Sequence, residues 1–248
     1  MDSIFFIIAF GALVAGFSQG LSGFGFGLVA MSFWAWVLEP QLAAALTVVG
    51  GLTGQIVAAF TVRRGFDLKL ILPFIIGGLV GIPIGVYLLP MLDIYKFKTI
   101  LGVFLILWCP FMLFANRLPK LTNTHRFFDA LAGMGGGVMG GLGGFTGTLP
   151  TLWCTIRGFD RDTQRSIIQN FNFAMLIVVL ISYISNSLIT RNMLPYIYIV
   201  SPIVVFTSYF GTKMYHGISQ QRFKQIILTL LTFSGISMLV TSLPHFFQ

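Results

Sequence analysis

Residues 3–38, SIFFIIAFGALVAGFSQGLSGFGFGLVAMSFWAWVL, form an apolar run whose length constrains the whole fold. The run is 36 residues long and contains no charged side chain. As one α-helix, at about 1.5 Å per residue, it would extend well beyond a hydrocarbon core of about 30 Å. Five glycines lie between Gly16 and Gly27, where helix propensity is therefore lowest. The run is predicted to break, tilt steeply or fold back in its middle.

The chain as a whole is strongly apolar, with 56% hydrophobic residues, 9% charged residues and a mean hydropathy of +0.90 over 248 residues. A soluble protein could not cover its surface with so few polar groups, so the expected solvent is lipid. The apolar runs do not alternate with polar residues, which favours helices over barrel strands. There are eight runs: 3–38, 42–61, 70–92, 99–115, 130–156, 166–190, 194–212 and 225–243. Six of these have the length of one transmembrane helix, about 17 to 25 residues, so the predicted fold class is an all-α polytopic membrane protein.

The run 130–156 is built like the first, with nine glycines in 27 residues followed by Pro150. The sequence from Gly20 to Gly25, GLSGFG, matches GLGGFT from Gly141 to Thr146. A second match aligns Phe97-Lys98 with Phe223-Lys224 and Gly85 with Gly211. Chance similarity between glycine-rich stretches could explain the first match, but two matches in the same order favour duplication. The chain is predicted to consist of two repeats, 1–120 and 121–248, each a glycine-rich broken or re-entrant segment followed by three transmembrane helices.

The positions of the basic residues indicate how the glycine-rich segments run. If all eight runs cross the membrane once, the 15 Lys and Arg residues divide seven to eight, which gives no orientation. If the two glycine-rich segments enter and leave on the same face, twelve basic residues share one side and only Lys96, Lys98 and Arg191 lie opposite. This excess is typical of the cytoplasmic side. The hairpin arrangement therefore predicts two inverted halves, with both termini on the non-cytoplasmic side.

Several function classes lack the residues that they need. The basic residues lie in short connections and form no block, so the net charge of +8 does not indicate nucleic acid as a partner. Cys109 and Cys154 lie apart in apolar runs, and neither a disulfide framework nor a metal site is predicted. The sequence contains no GxxxxGK[ST] nucleotide motif and no HExxH motif, and we expect no metal and no cofactor. An intramembrane enzyme would need a buried acid, base or nucleophile, and no charged residue is predicted well inside a run, with Asp129, at the edge of 130–156, as the one possible exception.

The two glycine turns are the candidate binding site. Inverted repeats with broken helices bind their solutes near the bilayer midplane, where free N–H groups at half-helix ends attract anions. Backbone amides and polar side chains at the turns are the predicted ligands, joined by amides of the following helices, which could instead tie helices together. Phe24 and Phe145, at matched positions, could wall or gate a cavity. The predicted substrate-binding residues are Gln19, Ser22, Gly23, Phe24, Gly25, Gln55, Gly143, Gly144, Phe145, Thr146, Thr148, Gln169, Asn170 and Asn172.

At these paired glycine motifs the chain resembles the TauE/SafE family of sulfite and organosulfonate exporters. The resemblance covers both halves, from Gly16 to Gly27 in the first and from Gly135 to Pro150 in the second. The first half departs from the pattern with Val29 at the place of Pro150, which indicates an asymmetric site. The resemblance implies a bacterial cytoplasmic-membrane permease for sulfite, sulfoacetate or related sulfonates.

The residues themselves are compatible with two functions. A permease would use the turns to bind a small anion, and export is favoured because an anion leaving a cell that is negative inside gains about 2.3 kcal/mol per charge per 100 mV. A membrane assembly partner would need no site, and its glycines would serve only close helix packing. Placement of glycine clusters within two overlong segments favours the permease.

Overall fold

A computed structural model describes residues 2–23, 25–61, 65–115, 119–121, 124–214 and 220–246. Within these ranges the protein is 87% helical and contains no strand, which confirms the all-α prediction. The α-helices are α1 Asp2–Ser22, α2 Phe26–Trp34, α3 Pro40–Thr61, α4 Leu68–Leu88, α5 Ile94–Phe114, α6 Arg126–Gly143, α7 Thr148–Arg157, α8 Arg161–Ser185, α9 Leu194–Lys213 and α10 Gln220–Ser242.

Seven of the described helices are long and apolar enough to cross a membrane: α1, α3, α4, α5, α8, α9 and α10. The last six coincide with the six runs of ordinary length. With 9 and 10 residues, α2 and α7 are too short to cross, at about 1.5 Å per residue. The prediction of a polytopic membrane protein is confirmed.

Charged residues stand at helix ends, where they complete the backbone hydrogen bonding. The carboxylates of Asp67, Asp93 and Asp160 accept hydrogen bonds from backbone N–H groups at the starts of α4, α5 and α8. Such caps pair donors that the first helical turn leaves free. Glycine follows α7 in the left-handed conformation, with φ of +74° at Gly158. The sequence therefore marks the ends of its helices with polar groups and leaves their centres apolar.

The first long run folds into a helical hairpin. The chain turns after Ser22, and α2 runs back along α1, so that the Trp34 indole N–H donates to the Ile8 carbonyl oxygen at 3.3 Å. The rings of Phe10 and Phe33 meet edge to face, with centroids 5.5 Å apart. The excess length of this run is accommodated by folding back.

The second glycine-rich run forms a similar hairpin from α6 and α7. At its open end, the guanidinium of Arg157 lies 2.6 Å from the carboxylate of Asp129, and the indole of Trp153 donates to the same carboxylate at 2.7 Å. Gly136 packs against Pro150, closer to the turn. Asp129, which directly precedes this run, is thus buried and paired with a cation and a hydrogen-bond donor.

Many of the glycines allow two helices to approach closely. In α4, Gly77, Gly81 and Gly85 recur every fourth residue and face α6. A methyl group on Gly81 would lie 2.1 Å from the Met134 carbonyl oxygen, and one on Gly85 would lie 2.1 Å from the Val138 carbonyl oxygen. Side chains at these positions would force the two backbones apart, so these glycines have the packing role common in membrane helices.

The hairpins pack on helices of the opposite half. Helix α6 lies along α4, and α1 lies along α9. In the α1–α9 contact, Gly20 meets Gly211 and the backbone at Ser208 and Thr212. Helices α3 and α8 cross between the hairpins, while α5 and α10 pack together. The two tips are therefore enclosed by helices from both halves.

Candidate functional site

The two hairpin tips share an unusual backbone conformation at matched positions. Gly23 has φ of +81° and Gly144 has φ of +76°. This left-handed region is disfavoured for residues with a side chain, which explains why glycine stands at both turns. The two glycines are aligned by the sequence match between Gly20–Gly25 and Gly141–Thr146. The turn conformation therefore requires glycine at these two positions in addition to any close packing.

Both tips contact α3 at positions away from the ends of that helix. A methyl group on Gly144 would lie 2.9 Å from Thr47, seven residues or about 11 Å from the start of the helix. The carbonyl oxygen of Gly23 accepts a hydrogen bond from Gln55 at 2.9 Å, six residues or about 9 Å before the end of α3. The tips therefore lie on either side of the middle of a helix long enough to span a bilayer.

Side chains of α1 close the first tip by capping α2. Gln19 accepts from the Phe26 N–H at 3.2 Å, and Ser22 accepts from the Gly25 N–H at 3.0 Å. The Ser22 hydroxyl in turn donates to the Ser18 carbonyl oxygen at 2.7 Å. Gln19 and Ser22 thus pair with the backbone here, because buried N–H groups at the start of a helix need acceptors. The predicted residue Phe24 lies outside the described residues.

The amide of Gln169 is the polar group at the first tip that lacks a partner. Gln169 is 1% exposed, and neither Oε1 nor Nε2 has a hydrogen-bond partner within the described ranges. A methyl group on Gly23 would lie 2.7 Å from Nε2, so the amide sits directly against the turn. An unpaired amide in a buried position is costly, about 1 to 3 kcal/mol, and marks a place where a polar ligand would be stabilised.

The second tip is held by its own polar contacts. The Thr146 hydroxyl donates to Asn172 Oδ1 at 2.9 Å, and Gly147 lies against the same amide. The Thr148 hydroxyl donates to the Phe145 carbonyl oxygen at 2.8 Å. Because all these side chains are nearly buried, they fix the start of α7 inside the helix bundle.

The two tips meet each other. A methyl group on Gly27 would lie 3.0 Å from the Gly144 carbonyl oxygen, and the ring of Phe145 packs against Gly143 and close to Gly27. The structure brings together every described residue of the predicted set except Asn170. The Asn170 amide instead donates to the Gly65 carbonyl oxygen at 3.1 Å, which ties α8 to the segment before α4.

Two contacts at the tips were not predicted from the sequence. The ring of Phe26 occupies the space beside Gly50 of α3, and the hydroxyl of Tyr183 donates to the Gly141 carbonyl oxygen at 2.7 Å. A tyrosine within the uncharged run 166–190 was an available signal, because a buried hydroxyl needs a partner. Phe26 gave no comparable signal among 26 phenylalanines.

The apolar runs that form and surround the tips contribute no charged side chain to them. Runs 3–38, 42–61, 130–156 and 166–190 contain no charged side chain. No cluster of three or more metal-ligating side chains is found in the part of the chain that the structure describes. The arrangement offers neutral dipoles: helix starts, amides and hydroxyls. Such groups can replace part of the hydration shell of a small anion.

A bundle of membrane-spanning helices with two discontinuous helical segments meeting in its interior defines a multi-pass membrane protein of the kind that transports solutes. The family model described as sulfite exporter TauE/SafE matches residues 8–238. The chain belongs to this family of membrane transporters, which confirms the resemblance seen in the glycine motifs. Searches among curated proteins and among solved structures found no match.

Proposed function

We propose that the protein is a permease that exports a small sulfur-containing anion, sulfite or an organosulfonate such as sulfoacetate, across the bacterial cytoplasmic membrane. The observation that carries this proposal is the pair of turns at Gly23 and Gly144, which both contact α3 away from its ends. The helix dipole at these helix starts favours negative charge, and the neighbouring Gln169 amide, which has no hydrogen-bond partner within the described ranges, could donate to an anion. Membership of the family supports the substrate class.

The proposed fold consists of two inverted repeats, 1–120 and 121–248. The packing supports this arrangement. When the two halves are aligned, α1 corresponds to α6 and α9 corresponds to α4, and α1 packs along α9 as α6 packs along α4. Each tip also contacts the helix that follows the hairpin of the opposite half: Gly23 lies against Gln169 of α8, and Gly144 lies against Thr47 of α3. In such folds, alternating access follows from movement of one repeat against the other around a fixed site.

The proposed orientation places both termini outside the cytoplasm. It rests on the twelve-to-three division of basic residues that hairpins would give. The membrane potential then favours outward movement of an anion without a coupled ion.

The roles of the glycines distinguish the permease hypothesis from the assembly-partner hypothesis. Gly77, Gly81 and Gly85 serve packing, as the assembly-partner hypothesis requires. Gly23 and Gly144 instead form left-handed turns beside polar groups inside the bundle. A protein that only packs its helices has no use for the unpaired Gln169 amide beside such a turn.

Flux of labelled sulfite and methanesulfonate into sealed proteoliposomes, with and without an imposed potential, tests the proposal. Gly144→Val should abolish transport and retain membrane insertion, because a β-branched residue is disfavoured at positive φ and its side chain would meet Thr47. Gly51→Ala is the control, since its methyl group would lie 3.3 Å from the flexible end of Leu176 and at an ordinary contact distance of 3.8 Å from the Phe26 ring. Normal transport by Gly144→Val would remove the tips as the site, and absence of flux for every anion would remove the permease.

A further inference from the structure

The helices that face the two turns present different polar side chains to them. Gln169 of α8 lies against Gly23 at the first tip, and Thr47 of α3 lies against Gly144 at the second. The Thr47 hydroxyl donates to the Ala43 carbonyl oxygen at 2.8 Å, so it is bound within its own helix. Both polar atoms of Gln169 instead lack a hydrogen-bond partner within the described ranges. Of these two side chains, Gln169 is the one that can pair with a ligand.

The same difference recurs three residues further along each helix. The Phe26 ring fills the space beside Gly50 of α3. Gly147, which aligns with Phe26 when the glycine motifs are matched, lies instead against the Asn172 amide of α8. Gln169 and Asn172 are neighbours on one face of α8, because they are three residues apart in a helix. This amide-bearing face of α8 therefore reaches both tips.

The surroundings of Gln169 offer dipoles rather than formal charges. By sequence, every residue of the eight apolar runs is uncharged. Gln169 has no hydrogen bond to a titratable side chain within the described ranges. Asp129 and Arg157 are paired with each other, Arg165 has an interaction partner of its own, and Tyr183 donates to a backbone carbonyl oxygen. Helix α3 contains no titratable residue. The titratable residues of α8 and of the other helices packed on it are Lys69 and Tyr87 of α4, Arg126 and Asp129 of α6, Cys154 and Arg157 of α7, and Arg161, Asp162, Arg165 and Tyr183 of α8.

Neutral dipoles favour an anion with one charge over an anion with two. The attraction between a dipole and an anion grows in proportion to the anionic charge, whereas the cost of removing the anion from water grows with the square of that charge. The Gln169 amide adds a hydrogen-bonding preference, since Nε2 can donate to an anionic oxygen and Oε1 can accept from the hydroxyl of a protonated anion. Hydrogensulfite, the monoanion of sulfite, has both groups.

We propose that the protein carries monovalent sulfur oxyanions, discriminates against dianions, and binds its anion through Gln169. This inference rests on the proposed permease function and narrows its substrate class. Hydrogensulfite is favoured over the sulfite dianion, and a simple alkanesulfonate is favoured over doubly charged sulfoacetate. Gln169 is 1% exposed, so the structure has this amide closed off from solvent. Movement of one repeat against the other would give an anion access to it.

Flux into proteoliposomes at pH values below and above the pKa of hydrogensulfite tests the charge of the carried species. The KM expressed as total sulfite should rise about 10-fold per pH unit above this pKa, because each unit lowers the hydrogensulfite fraction about 10-fold. Methanesulfonate stays a monoanion throughout, so its KM should change less than about twofold and would report any titration of the protein itself. Protein-free liposomes measure the passive leak of sulfur dioxide.

Competition and substitution test the role of Gln169. Hydrogensulfite should inhibit methanesulfonate flux, and sulfate and sulfoacetate at the same concentration should not. Gln169→Met removes the donor and the acceptor at similar size, and should raise the KM for methanesulfonate about 10- to 100-fold, as expected for loss of a hydrogen bond to a charged group. Gln41→Met is the matched control, since Gln41 is a half-buried glutamine at the start of α3, and its KM should stay within about twofold of the parent.

Several results would overturn the inference. They are a KM for total sulfite that does not change with pH, an equal rise for methanesulfonate, and inhibition by sulfate as strong as that by hydrogensulfite. An unchanged methanesulfonate KM in Gln169→Met would remove this residue from the site. If Gln169→Met does not insert, the pH dependence and the competition in the parent protein decide the question. Absence of flux for every anion would instead remove the permease function itself.

Discussion

Replacement of Gly81 by alanine is expected to destabilise the contact between α4 and α6. The added methyl carbon would lie 2.1 Å from the Met134 carbonyl oxygen and 2.8 Å from the Val138 backbone nitrogen. Ordinary contacts between such atoms are about 3.5 Å, so the helices must separate by about 1 Å. Because both contacting atoms belong to a helix backbone, no side-chain rotation can relieve the clash.

Two opposing terms set the size of this effect. Overpacking of a well-packed contact costs about 1 to 3 kcal/mol. The higher helix propensity of alanine offsets up to about 1 kcal/mol. Separation at Gly81 also loosens the contacts of Gly77 and Gly85 on the same face of α4. We therefore expect a net loss of about 2 kcal/mol in the free energy of unfolding.

Unfolding in mixed detergent and dodecyl sulfate, followed by circular dichroism, measures this loss. Gly51→Ala is the control in another spanning helix, since its methyl group would meet Leu176 Cδ1 at 3.3 Å and this atom can move. The control should be as stable as the parent or slightly more stable. Equal stability of the Gly81→Ala and Gly51→Ala proteins would refute the interpretation of the α4 glycines as close-contact residues.

Two further predictions concern topology and the second hairpin. Single cysteines that replace Glu39 and Lys69, both exposed, should react with an impermeant maleimide from opposite faces of the membrane. Position 39 should react from outside the cell and position 69 only after permeabilisation, while both native cysteines are buried. Labelling of both positions from one face would contradict the hairpin topology. Asp129→Asn should lower the free energy of unfolding by about 1.5 to 3 kcal/mol, because it removes the charged partner of the partly buried Arg157 guanidinium. A melting temperature in detergent equal to that of the parent would show that the ion pair contributes nothing.

The hairpin turns could be predicted from the sequence because two local signals coincide there. Residues 3–38 are too long for one straight helix, and glycine supplies the backbone freedom that the turn requires. The turn at Gly23 and its match at Gly144 follow from these signals alone. The six ordinary spans follow from hydropathy, since a helix is the single way to pair the backbone of an isolated apolar segment in lipid.

The hydrogen-bond partners of the polar residues could not be predicted from the sequence in this way. Gln19 and Ser22 share a turn-rich segment, and nothing in their spacing shows that they accept from the starting N–H groups of α2. The position of Gln169 depends on contact between the two halves, which composition does not encode. Asn170, next in sequence, is directed to Gly65 because adjacent helix residues point about 100° apart.

The two hairpins differ most at their open ends, although each is tied there by an indole N–H. Trp34 donates to the backbone of Ile8, and Trp153 donates to the carboxylate of Asp129. Ile8 and Asp129 are separated by the same 121 positions as Gly23 and Gly144, so they are aligned when the two glycine motifs are matched. A neutral hydrogen bond contributes about 1 kcal/mol, whereas bonds to a charged group contribute about 1.5 to 3 kcal/mol each, and Asp129 also holds Arg157. The difference between Ile8 and Asp129 at this aligned position therefore makes the second hairpin the more firmly closed of the two.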